Sequence, residues 1–515
     1  MARHGCRSPE DSATVAWLGV PFLAYVLSVD EAAIAARLER DVLLDEDHER
    51  ALADVLDHAR ELAADHPFDS PTALPDGPPF VRMRRWGWTE TERRQTHANL
   101  FRVATGGELP QMPPDLSPAE AAIADAAIDH YPQTLLPVPR DKAFLPPKPL
   151  VARTRVERLD LALHENPIGR LIKDDVIFYT SSGMGYGPIN AYRVAECALA
   201  TAEQRVRALN DRLPETFIAE AVANLRHMEQ LVATGTTEVP VLSGFWNIEI
   251  TAADELAGPS GGRIRAVRST DPHIPMAAEA TMVLETTCQV GLSIGRQPPS
   301  DAAFWRGVER LSVDEKLISL AGLLADSGPD AELALPMLAW THIFDPFQPY
   351  VGTFKHEPPG PPTVPFPAHR LAMLEEWLAR ADQSYDPSIR VAVTRTLSAA
   401  ADRQLSDDAL IDYVIALENL FGGPGSALER RISNALASIL AATEEEATEV
   451  RERSRRVYRA RSRLVHGDEL SEPDEHPADE ARDLLLDALR ALFTTHKHLA
   501  ADRKARRRLG TRRAS

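Results

Sequence analysis

Arg461 and His466, separated by four residues and with Ser462 beside the arginine, close the arginine-rich stretch 453–466 and carry the clearest chemistry in this sequence. Histidine changes charge near neutral pH, so it can take a proton from a hydroxyl or give one to a leaving oxygen. Arginine presents a rigid fork of donors to charge growing on a phosphorus centre. Together they suit cleavage of an RNA phosphodiester without a metal, the 2′-hydroxyl attacking and the 5′-oxygen leaving. On a helix Ser462 and His466 share a face. Arg461 lies about 140° round from His466, but its long side chain can swing toward that face. Gly467 suits the position after a helix end. His466 then falls in the last turn, where the helix dipole favours a cation. With 50 arginines and 16 histidines in the chain, the bare pair is unspecific. Its context has to decide.

That context is the string Tyr458-x-x-Arg461-Ser462-x-Leu464-Val465-His466-Gly467, with Ala416-Leu-Glu418-Asn-Leu-Phe421 upstream. Together these segments resemble the ApeA-like branch of the HEPN domains. Arg395 and the stretch Leu428–Ser433 stand where that family has comparable segments. The resemblance covers about residues 370–502, roughly a quarter of the 515-residue chain. It implies an all-helical bundle that dimerises through this C-terminal domain, so that two motifs meet in one composite cleft. It implies a metal-independent endoribonuclease with no cofactor, leaving 2′,3′-cyclic phosphate and 5′-hydroxyl ends. In that family a polar residue commonly follows the arginine, which is the place of Ser462. A bacterial phage-defence or toxin-like effector, restrained by its N-terminal region until an unknown trigger arrives, is the corresponding role.

Glu418 stands one residue past the apolar stripe Leu410, Val414, Leu417, Phe421. It is read equally as the acid that orients Arg461 or as a solvent-facing glutamate. Seven arginines lie between 451 and 463. Arg455, Arg456, Arg459 and Arg463 are candidates for an RNA groove. The competing reading is an exposed helix with Glu449–Arg453 and Glu452–Arg456 pairs.

The elements that must position these residues follow from composition and periodicity. Acidic residues outnumber basic ones, 76 to 57, for a net charge of −19. Such a chain is no general polyanion binder, and any RNA contact has to be local. Three widely spaced cysteines exclude a disulfide framework or a cysteine zinc site and fit a reducing cytoplasm. No apolar run reaches the roughly 18 residues of a membrane span, so no membrane partner is expected. No secretory signal is evident. His164, His273 and His342 suggest no shared metal.

The expected fold is mainly α with an α/β middle region and a C-terminal all-α HEPN bundle. Residues 1–68 read as a helical module, opened by the capping signature Ser28–Glu31. Residues 69–150 read as a proline-rich connector with short helices, one near 118–129. In the same stretch Arg82, Arg84, Arg85, Arg93 and Arg94 surround Trp86 and Trp88. Residues 151–355 read as a mixed α/β domain, with strands at Val176–Thr180, Val239–Leu242, Phe245–Ile250 and Ile264–Val267 and helices over 189–210 and 214–233. The loop Ser181–Pro188 lacks the spacing of a nucleotide fingerprint and reads as a glycine-rich turn. Six prolines between 358 and 367 mark a linker over 356–367. Helices are expected over 368–382, 387–402, 406–421, 427–441, 444–466 and 478–501 in the domain 368–502, then a disordered basic tail over 503–515. Two rival functions remain: a non-catalytic RNA- or nucleotide-binding or dimerisation module, and a DNA-binding regulator using residues 12–66.

Overall fold

A computed structural model describes residues 114–134 and, with short internal gaps, 149–511, together with isolated positions between 20 and 53. Most of 12–66, the tryptophan–arginine stretch 82–94, His273 and Gly467 therefore lie outside the described residues. What is described is mainly helical, with an antiparallel sheet in the middle and helices alone after residue 368.

The front part is helical: α1 (Pro118–Thr134), α2 (Arg153–Leu163), α3 (Gly169–Lys173), α4 (Ala191–Leu209) and α5 (Pro214–Thr234). Ser117 and Glu120 cap α1 reciprocally, each backbone N–H donating to the other's side chain. Its small residues Ala122, Ala126 and Ala127 are buried with Ile123 and Tyr131 against the neighbouring helices. The helix expected near 118–129 is present and runs on to Thr134, and it packs into the core rather than serving as a connector, because an alanine face lets helices approach closely. Helix α5 ends at Gly235 in the left-handed conformation, φ 81°. That position suits glycine and turns the chain directly into the sheet.

The sheet comprises β1 (Phe178–Thr180), β2 (Gly185–Tyr186), β3 (Thr236–Trp246), β7 (Met282–Ile294), β8 (Met337–Ile343) and β9 (Gly352–Phe354), in the order β2-β1-β7-β3-β8-β9. Strands β5 (Glu255–Ala257) and β6 (Arg263–Ala266) extend it beside β7. Between β3 and β5, β4 (Ile248–Glu249) pairs in parallel with β10 (Val364–Pro365). The main sheet is antiparallel throughout, for example Val239 opposite Cys288 and Val241 opposite Ile343. The strands and helices expected in the middle region are present as β1, β3, β4 and β6 with α4 and α5 between β2 and β3, and the main sheet they join is antiparallel. The central strand β7 and β8 were not read from the sequence. Neither was α6 (Ala302–Ala325), a long helix lying along β7.

The C-terminal elements are α7 (Ala368–Ser384), a 3₁₀ turn Pro387–Ile389, α8 (Arg390–Ala401), α9 (Ser406–Phe421), α10 (Leu428–Leu440), α11 (Glu444–His466), α12 (Pro477–Phe493), α13 (Lys497–Ala501) and α14 (Arg503–Leu509). One continuous core runs from Phe245, Ile264, Met282 and Leu284 of the sheet, through Leu317, Leu320 and Leu324 of α6, to Leu374, Leu417, Leu436, Val457 and Leu489. The proline-rich linker therefore does not separate two independent cores. Helix α6 is shared by both.

The expected disordered tail is also corrected. Arg506 in α14 is fully buried. It donates to the carbonyls of Leu420, Leu499 and Ala500 and to the Ser388 hydroxyl. Helix ends leave carbonyls without intrahelical donors, and one guanidinium satisfies several of them at once.

Candidate active site

Helix α11 starts with a reciprocal cap. Thr443 N–H donates to Glu446, and Glu446 N–H donates to the Thr443 hydroxyl. Three glutamates fill the first turn, and Arg463 and His466 stand in the last, each complementing the helix dipole. Ala447, Val450, Ser454, Val457 and Ala460 form the buried stripe. Its one polar member is satisfied, since Ser433 of α10 donates to Ser454 across 3.0 Å. The Leu428–Ser433 segment singled out in the sequence thus fixes how α10 meets α11.

With the buried stripe fixed, at about 100° per residue the outward stripe follows. Arg455, Arg459, Ser462 and His466 recur at i, i+4, i+7 and i+11, and all four are exposed. Among the described residues neither Arg455 nor Arg459 forms a hydrogen bond or ion pair. Arg456 does: with Arg453 it converges on Glu480 of α12, Arg453 at 3.4 Å. Arg451 reaches back to Glu444 at 2.8 Å. The arginines expected to pair with Glu449 and Glu452 are thus tied at least in part to another helix. The four candidate RNA contacts divide accordingly: Arg455 and Arg459 face solvent without a carboxylate, Arg456 is held by Glu480, and Arg463 is half-buried.

The other edge of α11 carries Arg461. It is half-buried, and its Nε finds no hydrogen-bond acceptor among the described residues. Burial raises the pKa of Glu418 in α9, and the charge of Arg461 acts against that rise. Glu418 thus lies within electrostatic reach of Arg461, but among the described residues no hydrogen bond or ion pair joins them, and both readings of this glutamate stand. Tyr458, one turn before Arg461, completes the cluster. Its hydroxyl is buried without a partner, and burial, with the nearby Glu418 charge, drives its pKa upward. The sequence reading gave Tyr458 no role, although its i, i+3 spacing from Arg461 was visible.

The structure therefore brings Glu418, Tyr458 and Arg461 together and holds Ser462 and His466 apart from them on the solvent face. Among the described residues no hydrogen bond links Arg461 to Ser462 or His466. Arg395, the other position the resemblance pointed to, forms a 2.8 Å ion pair with Asp412. No protein-family model matches the chain, and comparison with curated proteins and with solved structures finds no match.

Other polar features of the fold are occupied structurally. In the glycine-rich turn the Ser181 hydroxyl accepts from Gly291 N–H at 2.7 Å, and Ser182 donates to Asp345. Burial pushes the Asp345 carboxyl up to about 6. His342 is wholly buried against Gln204, and burial pushes its imidazole down to about 3. Among the described residues no cluster of histidine, cysteine, aspartate and glutamate has the makings of a metal site, and no helix is long and apolar enough to cross a membrane.

Proposed function

We propose that the chain is a metal-independent endoribonuclease of HEPN type that acts as a homodimer through its C-terminal bundle. The observation that carries this reading is the split of the motif over two faces of α11. Arg461 is half-buried on the edge of α11 whose charge acts on Glu418, while His466 is presented outward beside Arg455, Arg459 and Ser462. One chain then offers the acid–base group and the phosphate contacts on an open surface. A second copy, facing it across a two-fold axis, supplies the other wall of the cleft. In this reading His466 moves the proton of the 2′-hydroxyl or of the leaving 5′-oxygen. Arg461 stabilises charge on phosphorus, Glu418 positions Arg461, and Arg455 and Arg459 track the backbone with Arg456 and Arg463 at the flanks.

The products are a 2′,3′-cyclic phosphate and a 5′-hydroxyl. The role proposed is that of a bacterial cytoplasmic effector in phage defence or a toxin-like system, with the part before residue 350 sensing the trigger. The core shared through α6 supports such a coupling, since sheet and bundle pack into one core with the same helix.

The test is incubation of the full chain with total tRNA and mRNA in EDTA, beside His466→Ala. Cleavage in EDTA by the wild type alone supports the proposal. RNA binding without cleavage by either protein leaves the non-catalytic binding module as the function.

A further inference from the structure

Residues 503–513 hold seven basic residues and no acid, and the structure winds the first part of them into α14. At 100° per residue, Arg503, Lys504, Arg507 and Arg508 fall within about 140° of one another round that helix. Ala505, Arg506 and Leu509 take the opposite side, where Arg506 is anchored in the bundle. Arg503, Lys504 and Arg508 are exposed, and Arg507 is part-buried. The basic face continues onto α10. Gly510, just past α14, lies so close to that helix that a Cβ would collide with the Arg431 carbonyl. The side chains of Arg431 and Arg507 both approach the Cβ position of Gly423, at 3.6 and 3.8 Å. Arg430 stands exposed in the same first turn of α10.

These cations are not taken up by the fold. Among the described residues Arg430, Arg503, Lys504, Arg507 and Arg508 form no side-chain hydrogen bond or ion pair, and the buried Nε of Arg507 finds no acceptor. Arg431 does not belong with them, since it donates to the Gly423 carbonyl at 2.9 Å. Three carboxylates act nearby. Asp502 caps α14 by accepting from the Ala505 N–H at 2.9 Å, and its charge also acts on Arg506 and Arg508. Asp386 acts on the buried Arg506. Glu429 is exposed beside Arg430. Setting Asp502 and Glu429 against the five surface cations still leaves the face positive, in a chain of net charge −19. On α11, by contrast, Arg453 and Arg456 both find Glu480.

The arrangement selects the partner. The cations are spread over two helices, so they suit a chain of phosphates met one at a time better than a single compact anion. Four of the five are arginines, whose planar fork matches phosphate oxygens. A lipid surface is held by apolar side chains beside the cations, and the outward face of α14 bears none. Helix α10 packs against both α14 and α11, so the face adjoins the helix that carries Arg461 and His466.

We propose that α14 and the first turn of α10 bind single-stranded RNA outside the cleavage motif, as a second contact that holds longer substrates. The choice of RNA rests on the endoribonuclease reading; the surface itself does not.

The experiment is fluorescence anisotropy of the full chain with a 2′-O-methyl RNA of about 30 nucleotides, which lacks the attacking hydroxyl, over a range of salt. The triple variant Arg503→Ser, Lys504→Ser, Arg508→Ser removes three exposed cations and should keep the wild-type circular dichroism. It should flatten the log–log salt slope by about 2, some 0.7 per lost contact, and weaken binding at least about tenfold at 0.1 M salt. If it misfolds, Arg430→Ser tests the same face from α10, with a slope change of about 0.7. A slope unchanged in a folded variant overturns the proposal. An oligomer of about six nucleotides should bind both proteins equally; equal weakening of short and long RNA overturns the second contact and makes the face part of the main cleft. Phosphatidylserine vesicles or polyglutamate bound more tightly than RNA, and released by the same variant, overturn RNA as the partner. Loss of RNA affinity in the variant supports the face even where the wild type cuts no RNA, a result that removes the nuclease reading alone. Cleavage by the wild type with an unchanged slope in the variant removes the face alone.

Discussion

Replacing Arg506 measures how much the last helix holds the bundle together. Its guanidinium is fully buried and serves three backbone carbonyls and one hydroxyl, drawn from the ends of α9 and α13 and from the 3₁₀ turn before α8. Burial lowers the Arg506 pKa to about 10, so it remains a cation at neutral pH. Arg506→Met keeps the stem and removes every donor. A buried acceptor left unsatisfied costs about 1–3 kcal/mol, which for three carbonyls sets a ceiling near 9 kcal/mol. Two effects reduce that: α14 lies at the edge of the bundle, where water can re-enter, and the cost of burying the cation disappears. The expected loss is about 3 kcal/mol. For a cooperative unit of roughly 150–250 residues this corresponds to a fall in Tm of about 6–12 °C. The assay is thermal and urea denaturation followed by far-ultraviolet circular dichroism, with exposed Lys504→Ala as control, expected within about 0.5 kcal/mol of wild type. Arg506→Met with the midpoint of wild type would refute the argument and return residues 503–515 to a disordered tail.

His466→Ala should preserve fold, dimer and RNA affinity, because the side chain is exposed at a helix end, and should slow cleavage by at least about 10²–10⁴-fold in a gel assay; Arg461→Lys should recover little, as an ammonium lacks the planar fork. Arg455→Ala with Arg459→Ala should weaken RNA binding and flatten the log–log salt dependence by about 1.4, some 0.7 per lost phosphate contact, measured by fluorescence anisotropy; an unchanged slope means neither arginine touches RNA. Burial raises the Glu315 pKa, so folding disfavours its ionised form: stability is greatest below the unfolded pKa and declines as pH rises from about 4.5 toward the folded value. Glu315→Gln keeps the oxygen that accepts from Ser243 and Thr341 and should flatten that decline, whereas Glu315→Leu strands both hydroxyls and should cost about 1–3 kcal/mol for each in urea titrations at pH 7.

The helices that bear the motif were legible in the sequence because each carries its own local instructions. In α9 Leu410, Val414, Leu417 and Phe421 recur at three and four residues, and all are buried. In α11 the first-turn glutamates and the last-turn Arg463 and His466 mark both ends, so the span 444–466 and the exposure of His466 follow from periodicity and dipole alone. Ser462 and His466 sharing a face is likewise a property of the helix. Which neighbour covers the opposite face is not. The charge of Arg461 acts on Glu418 from another helix, and only packing sets the distance between them. The same holds for Glu315, whose hydroxyl partners stand 72 and 26 residues away, and for Arg506, which reaches back 86 residues to Leu420. The proline-rich segment reads as a linker from its local chemistry, yet its described residues Val364–Pro365 form β10 against β4. It carried no information that Leu317 and Leu320 would be buried in one core with residues of both the sheet and the bundle. Periodicity specifies an element and its apolar face, since those depend on residues within a turn or two. The partner of that face depends on contacts between residues distant in the chain, and these exist only once the tertiary structure has closed.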